Sequence, residues 1–331
     1  MLRDAAPWMP SLLGNLEVGL AGPPVVAPDG SWWLLGRDGE LEHFRRDDAL
    51  LWSISLPATI TGAAAADELG LLFVPTARDL VFAVEPSGTV RWRFRAPAGI
   101  VGPVGWVPGQ GLALVGRDRA VYWLDRRANL LLRAPIGARV SAGPAPIGNK
   151  IVVGTDAGQL IALTRQGRRQ STQLDGPITA IEPMLNGAIV LCAGKAYGLN
   201  HDAQILWTKE GILGIGVTAA LGQTLRQNMP AILSTAGKVI WLDGSGQTTA
   251  SIEPSAKFLG EPLAEFAATD RQAWIVDDSG TLWEASIGGG WRSVQLTQSP
   301  LMRPVVDVHG SRVLIGSVGG GGWSVPIGTN Q

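Results

Sequence analysis

The chain has 331 residues, with 27 Lys and Arg against 28 Asp and Glu and a formal net charge of −1, which excludes the strong basic excess of a dedicated nucleic-acid binder. Hydrophobic residues make up 46% of it, enough for a true core, with Gly and Pro below the low-complexity range. A single cysteine, Cys192, excludes an intramolecular disulfide framework and a thiolate-rich metal site.

Residues 1–10 contain no apolar h-region and no lipid-acceptor cysteine, so they do not read as an intact signal peptide. From residue 21 a four-part unit begins: an apolar marker at Pro23, the strand-like run Trp32 to Leu35, a closing run Glu42-His43-Phe44, and Trp52. The segment Ala49 to Ala66 runs 18 residues without a charge and so reaches the length of a membrane span. It holds Pro57, Gly62 and four Ser or Thr residues and keeps step with the unit, so it is expected to form strands.

The second unit offers Ala63, Leu71 to Val74, Phe82-Ala83-Val84 and Trp92; the third Pro103, Tyr122-Trp123-Leu124 and Leu132. The fourth has Pro144, Ile151 to Val153 and Ile161-Ala162-Leu163, and the fifth Pro183, Tyr197-Gly198-Leu199 and Trp207. The sixth has Ala220 and Ile240-Trp241-Leu242; the seventh Pro262, Trp283-Glu284-Ala285 and Trp291, two residues early. The eighth has Pro304, Val313 to Ile315 and Trp323-Ser324-Val325.

Successive closing residues stand 40, 40, 39, 36, 43, 43 and 40 residues apart. A period near 40 with four strands per repeat is the mark of a β-propeller blade. We therefore expect an all-β chain, an eight-bladed β-propeller of four-stranded antiparallel blades. It would be a single domain over 1–331, with eight blades from residue 21 onward. The eighth unit stops too early for a fourth strand. Leu12 precedes Pro23 by the 11 residues that separate Trp52 from Ala63. Residues 1–20, and within them Leu12 to Val18, are thus expected to supply the closing outer strand of the last blade and hide its bare edge.

The runs Val81 to Phe94 and Val153 to Leu163 resemble the quinoprotein-type (PQQ-like) propeller repeat, with its Gly-Asp turn, Ala-Leu-Asp strand, Gly turn and Trp. The resemblance covers nearly the whole chain and is closest in units two to four. Eight such blades in a chain of this length are similar to the non-enzymatic branch of that family, the outer-membrane assembly lipoprotein BamB and related bacterial scaffolds. A WD repeat is not supported, because no Gly-His and Trp-Asp pairs recur. The enzymes of the quinoprotein family are longer and carry a vicinal Cys-Cys pair. Here Cys192 stands alone in an apolar run and reads as a small buried hydrophobe. The turn before Trp92 is one residue shorter than those enzymes use.

No catalytic constellation, cofactor site or metal site is apparent. His43 and His201 fall on opposite sides of such a ring, and His309 lies in a turn of the eighth unit. Their spacing matches no zinc pattern. The run Gly319 to Gly322 lacks a Lys and a following helix and reads as a flexible turn rather than a phosphate loop. Asp277-Asp278-Ser279-Gly280 reads as a plain turn, since the other ligands of a calcium loop are missing.

Two surfaces are candidates for a partner or ligand. One is a recurring pair in the turns between second and third strands, Arg37-Asp38, Arg78-Asp79 and Arg117-Asp118, which the resemblance puts at the mouth of the funnel. Its simpler reading is a turn-forming Asp beside a solvated Arg. The other is Arg91, Arg93 and Arg95, alternating with Trp92 and Phe94 on one outer strand, followed by Arg126, Arg127 and Arg133. Alternation sends the arginines to one face and the aromatics to the other. Residues 1–170 hold 18 Lys and Arg against 15 Asp and Glu, and the remainder 9 against 13.

The expected function is a non-enzymatic protein-interaction scaffold of a bacterial envelope complex. By resemblance it is periplasmic or otherwise extracytoplasmic and serves outer-membrane protein assembly, with protein partners, no nucleic acid and no membrane span. The alternatives are a small-molecule or quinone-binding propeller that uses the funnel, as a quinoprotein-type enzyme would, and a sensor module of a larger system.

Overall fold

The computed structural model describes residues 9–212, 214–220, 229–234, 236–254, 262–307 and 311–327. The first strand, β1 (Ser11–Asn15), stands apart from its neighbours in sequence. Blade one follows as β2 (Val25–Val26), β3 (Trp32–Leu35), β4 (Glu40–Phe44) and β5 (Leu50–Ser55). Blade two is β6 (Ala65–Ala66), β7 (Leu72–Thr76), β8 (Leu80–Val84) and β9 (Val90–Arg95). Blade three is β10 (Gly105–Val107), β11 (Gly111–Val115), β12 (Ala120–Leu124) and β13 (Leu130–Pro135). Blade four is β14 (Val140–Ile147), β15 (Lys150–Thr155), β16 (Gln159–Thr164) and β17 (Arg169–Gln173). Blade five is β18 (Ile178–Met184), β19 (Gly187–Cys192), β20 (Lys195–Asn200) and β21 (Ile205–Lys209). Blade six is β22 (Gly214–Ala220), β23 (Met229–Ser234), β24 (Val239–Leu242) and β25 (Thr248–Ile252). Blade seven is β26 (Pro262–Ala268), β27 (Gln272–Asp277), β28 (Thr281–Ser286) and β29 (Gly290–Gln295). Blade eight is β30 (Val305–Val306), β31 (Arg312–Gly316) and β32 (Gly321–Pro326), completed by β1 in the order β1-β32-β31-β30.

The propeller is therefore eight four-stranded antiparallel sheets, closed by the N-terminal strand. Burial follows the ring. The third strand of blade three, β12, is buried at every position, because both its faces pack on neighbouring blades. Fourth strands such as β9 alternate instead, since blades splay apart at the rim and only the face toward the next blade stays covered. Among the described residues eight apolar clusters form, one at each blade–blade interface. Cys192 lies in the cluster between blades four and five, as a small hydrophobe would, with its Sγ 3.0 Å from the carbonyl of Gly176.

Three details differ from the sequence reading. The closing strand ends at Asn15 rather than Val18, and Leu12 points outward, 60% exposed, while Leu13 packs into the interface of blades eight and one. Only Gly319 and Gly320 of the glycine run form a turn; Gly321 and Gly322 open β32 and pair with β31 and β1. Trp291 faces backward into the interface of blades six and seven, whereas Trp52 and Trp92 face the blade that follows. The cause is a β-bulge. Blades one, two, three, five and six shift register before the closing residue of the third strand, and blade seven does not. Without the extra residue the side chain falls on the opposite face of the sheet.

The ring's seam carries a buried ion cluster. Arg312 of blade eight donates to the Asp48 carboxylate of blade one and to the carbonyl of Gly30 at 3.3 Å, and its Nε lies 3.5 Å from Asp307. The same joint recurs between blades two and three, where Arg126 meets the buried Asp67, and between blades four and five as Lys150–Asp202 at 3.0 Å.

Candidate interaction surfaces

The turns between second and third strands bring Arg37-Asp38, Arg78-Asp79 and Arg117-Asp118 onto one face of three consecutive blades. Arg37 Nε donates to the carbonyl of Leu20 at 2.9 Å, and Asp38 accepts the backbone N–H of Glu40 at 3.2 Å. In blade two both Arg78 and Asp79 take positive φ, 62° and 66°, a tight mirror-image turn. Asp118 does something the sequence did not suggest: it accepts the hydroxyl of Tyr122 at 2.7 Å and Arg133 Nη2 at 2.6 Å. Burial alone would raise its carboxyl, but those hydrogen bonds outweigh it and hold the group below the usual range. The side chains of Arg78 and Arg117 have no hydrogen-bond or ion-pair partner among the described residues. In the corresponding turn of blade seven, Asp277 takes the place of Gly36 and Gly116, two residues before that of Asp38 and Asp118; it is fully buried and accepts from Ser279, Thr281 and the Trp283 indole.

At the ring's axis, Arg303 of blade eight reaches Glu182 of blade five at 2.6 Å. Those blades are not neighbours, so the ion pair crosses the centre. Nothing in the sequence pairs residues 121 positions apart, although each directly precedes the proline marker of its unit, Pro183 and Pro304.

The arginine triad lies where alternation put it. In β9, Arg91, Arg93 and Arg95 are exposed and Trp92 and Phe94 are half-buried. Arg93 sits opposite Phe82 and Arg95 opposite Leu80, and both partners belong to the interface with blade one. The triad therefore forms one wall of the cleft between the outer strands of blades one and two. Trp52 and Ile54 form the other wall, and the Trp52 indole donates to the carbonyl of Pro86 at 2.8 Å. Arg91 meets Glu85 at 3.0 Å, whereas the side chains of Arg93 and Arg95 have no ion-pair or hydrogen-bond partner among the described residues. One blade on, Arg126 and Arg133 are engaged by Asp67 and by Asp118, and Arg127 is exposed.

Behind Trp52 the same interface hides His43, only 2% exposed. Its ring stacks on Trp33 and tilts against Trp52 at 4.9 Å, and neither ring nitrogen has a hydrogen-bond partner. Burial pushes its pKa below the ordinary histidine value, against the opposing pull of Asp29 and the Pro86 carbonyl. His201 belongs to the turn between β20 and β21, across the ring, and His309 lies outside the described residues. No group of three or more His, Cys, Asp or Glu side chains among the described residues is placed to hold a metal ion. No helix among them is long and apolar enough to cross a membrane, and Ala49 to Ala66 forms β5, a loop and β6.

Residues 37–127 match the family model described as outer membrane protein assembly factor BamB. The match runs from the second–third turn of blade one to the last turn of blade three. The family model supports the PQQ-like propeller repeat over those residues, and around the rest of the ring the structure shows the same four-stranded blades. Among curated proteins no sequence matches significantly. BamB from Moraxella catarrhalis superposes with a TM-score of 0.72 at 14% identity, over 96% of this chain and 100% of that one. The computationally designed Ika8 protein gives 0.73 at 16% identity over 96% and 98%. The WD40 domain of SCAP from fission yeast gives 0.72 at 11% identity over 97% and 98%. At such identities the likeness is one of fold, and one fold carries many sites.

Proposed function

We propose that this protein is a non-enzymatic scaffold of a bacterial envelope complex, serving outer-membrane protein assembly from the periplasm. The reading is supported by the match of blades one to three to the BamB family model and by the superposition on BamB along the whole of that chain. The observation that carries it is the rim cleft of blades one and two. There the side chains of Arg93 and Arg95 stand exposed and unpaired opposite Trp52 and Ile54, and Arg and Trp are the residues that protein interfaces favour.

The test is recovery of the tagged protein from the envelope fraction of its own cells, with bound proteins measured by quantitative mass spectrometry. A stoichiometric set of envelope proteins is expected. Recovery of the protein alone, or only from cytosol, contradicts the proposal, as does a quinone absorbance that tracks the purified protein.

A further inference from the structure

We infer that the outer strand of blade two captures an extended acidic segment of a partner protein, with carboxylates at alternate positions facing Arg91, Arg93 and Arg95. The inference deepens the scaffold reading by naming the chemistry of the segment that the scaffold holds.

Strand β9 is the last of its sheet, bonded to β8 on one side only, so its other edge offers unpaired backbone N–H and C=O groups. Along that edge the arginines recur at every second residue, about 7 Å apart, which is the repeat of an extended chain. A strand laid antiparallel beside β9 would place its own alternate side chains directly opposite them, where opposite charges pair.

Edge strands are ordinarily blunted by a charge, and one would suffice. The other outer strands carry fewer: β5 (LLWSIS) and β25 (TTASI) have no basic residue, and β13, β21 and β29 have one each. Even β17 (RQSTQ) has only its first residue. Three arginines on one face repel one another, and among the described residues only Arg91 of the three makes an ion pair, with Glu85. The triad is thus an unmatched charge array on an open edge.

The opposite face sets the residues between the carboxylates. Trp92 and Phe94 are half-buried toward blade three, and the exposed Leu131 of β13 turns to the same cleft, because its neighbour Leu132 packs on blade four. Apolar side chains between the acidic ones meet that surface. The segment is therefore an alternation of acidic and apolar residues in extended form.

The experiment titrates the purified full chain with a fluorescent peptide containing Glu-Val-Glu-Val-Glu. Controls are a peptide of equal composition with its three Glu grouped, an N-methylated version that cannot pair its backbone, and vesicles rich in anionic lipid. The alternating peptide is expected to bind. Arg93→Ala with Arg95→Ala should weaken it at least about ten-fold with an unchanged melting temperature, and salt should weaken it further. The grouped and N-methylated peptides should bind at least about ten-fold more weakly. No binding, equal binding of the grouped peptide, or indifference to the arginines overturns the inference. Arginine-dependent binding of vesicles without peptide binding also overturns it and assigns the array to a membrane surface. An envelope partner set that charge reversal abolishes, beside a peptide that fails to bind, leaves the scaffold standing and sinks the strand.

Discussion

His43 lies 4.5 Å from Trp33 with the two rings 7° from parallel, sealed in the interface of blades one and two. Burial in the native state disfavours protonation of this imidazole, whereas the unfolded chain protonates it near the ordinary pH 6.5. The folded pKa is the lower of the two, so the unfolded state binds more protons as pH falls below that value, and stability is lost there. Glu42 on the same strand works the other way, since burial raises its carboxyl. Comparison with His43→Phe isolates the histidine. Between pH 7.5 and 5.5, denaturant unfolding should show wild type losing more stability than the variant. Parallel pH profiles would contradict this placement.

Trp92 packs between blades two and three and its indole donates to the carbonyl of Arg126 at 2.9 Å. Trp92→Ala should cost about 3 kcal/mol through lost packing, and Trp92→Phe about 1 kcal/mol through the lost hydrogen bond. Thermal or denaturant unfolding reads both, and a melting temperature within a degree of the parent for Trp92→Ala would place the side chain outside the interface.

In blades one to six the turn after the third strand needs one left-handed residue. Gly88 and Gly246 fill it in blades two and six, but Ala128 and Ala203 fill it in blades three and five, at φ 68° and 61°. A Cβ costs about 1 kcal/mol in that conformation. Ala128→Gly should therefore stabilise by roughly 0.5–1 kcal/mol. Gly88→Ala should destabilise, since its Cβ would also lie 3.3 Å from the Trp52 ring. Equilibrium unfolding that gives the opposite signs would refute the assignment.

The period of closing residues was enough to count the blades and to predict the strand that closes them, because each copy must bury the same two faces. The alternation of β9 was equally plain from Arg91 to Arg95, since a strand's faces follow from parity alone. Parity fails where a bulge intervenes, so the spacing of Trp291 does not tell which interface it enters, nor that of Leu12 which of Leu12 and Leu13 is buried. His43 between Trp33 and Trp52 depends on cross-strand register, and Arg303–Glu182 and Arg312–Asp48 join residues that only ring closure brings together. No local pattern announces any of them.

Closure also has a direct consequence for truncation. Strand β1 covers the edge of β32, and Leu16 and Leu20 fill the interface of blades eight and one. Deleting residues 1–20 should leave a three-stranded blade with an open edge and a protein that aggregates. Gel filtration and calorimetry read the result, and a monomer with unchanged melting would contradict this closure.

The proposed function requires the blade-two rim to bind protein. The measurement that tests it is the envelope recovery repeated with Arg91→Glu, Arg93→Glu and Arg95→Glu combined in one variant of unchanged melting temperature. Loss of the stoichiometric partner set from that variant alone is the predicted result. A partner set retained in full would contradict it.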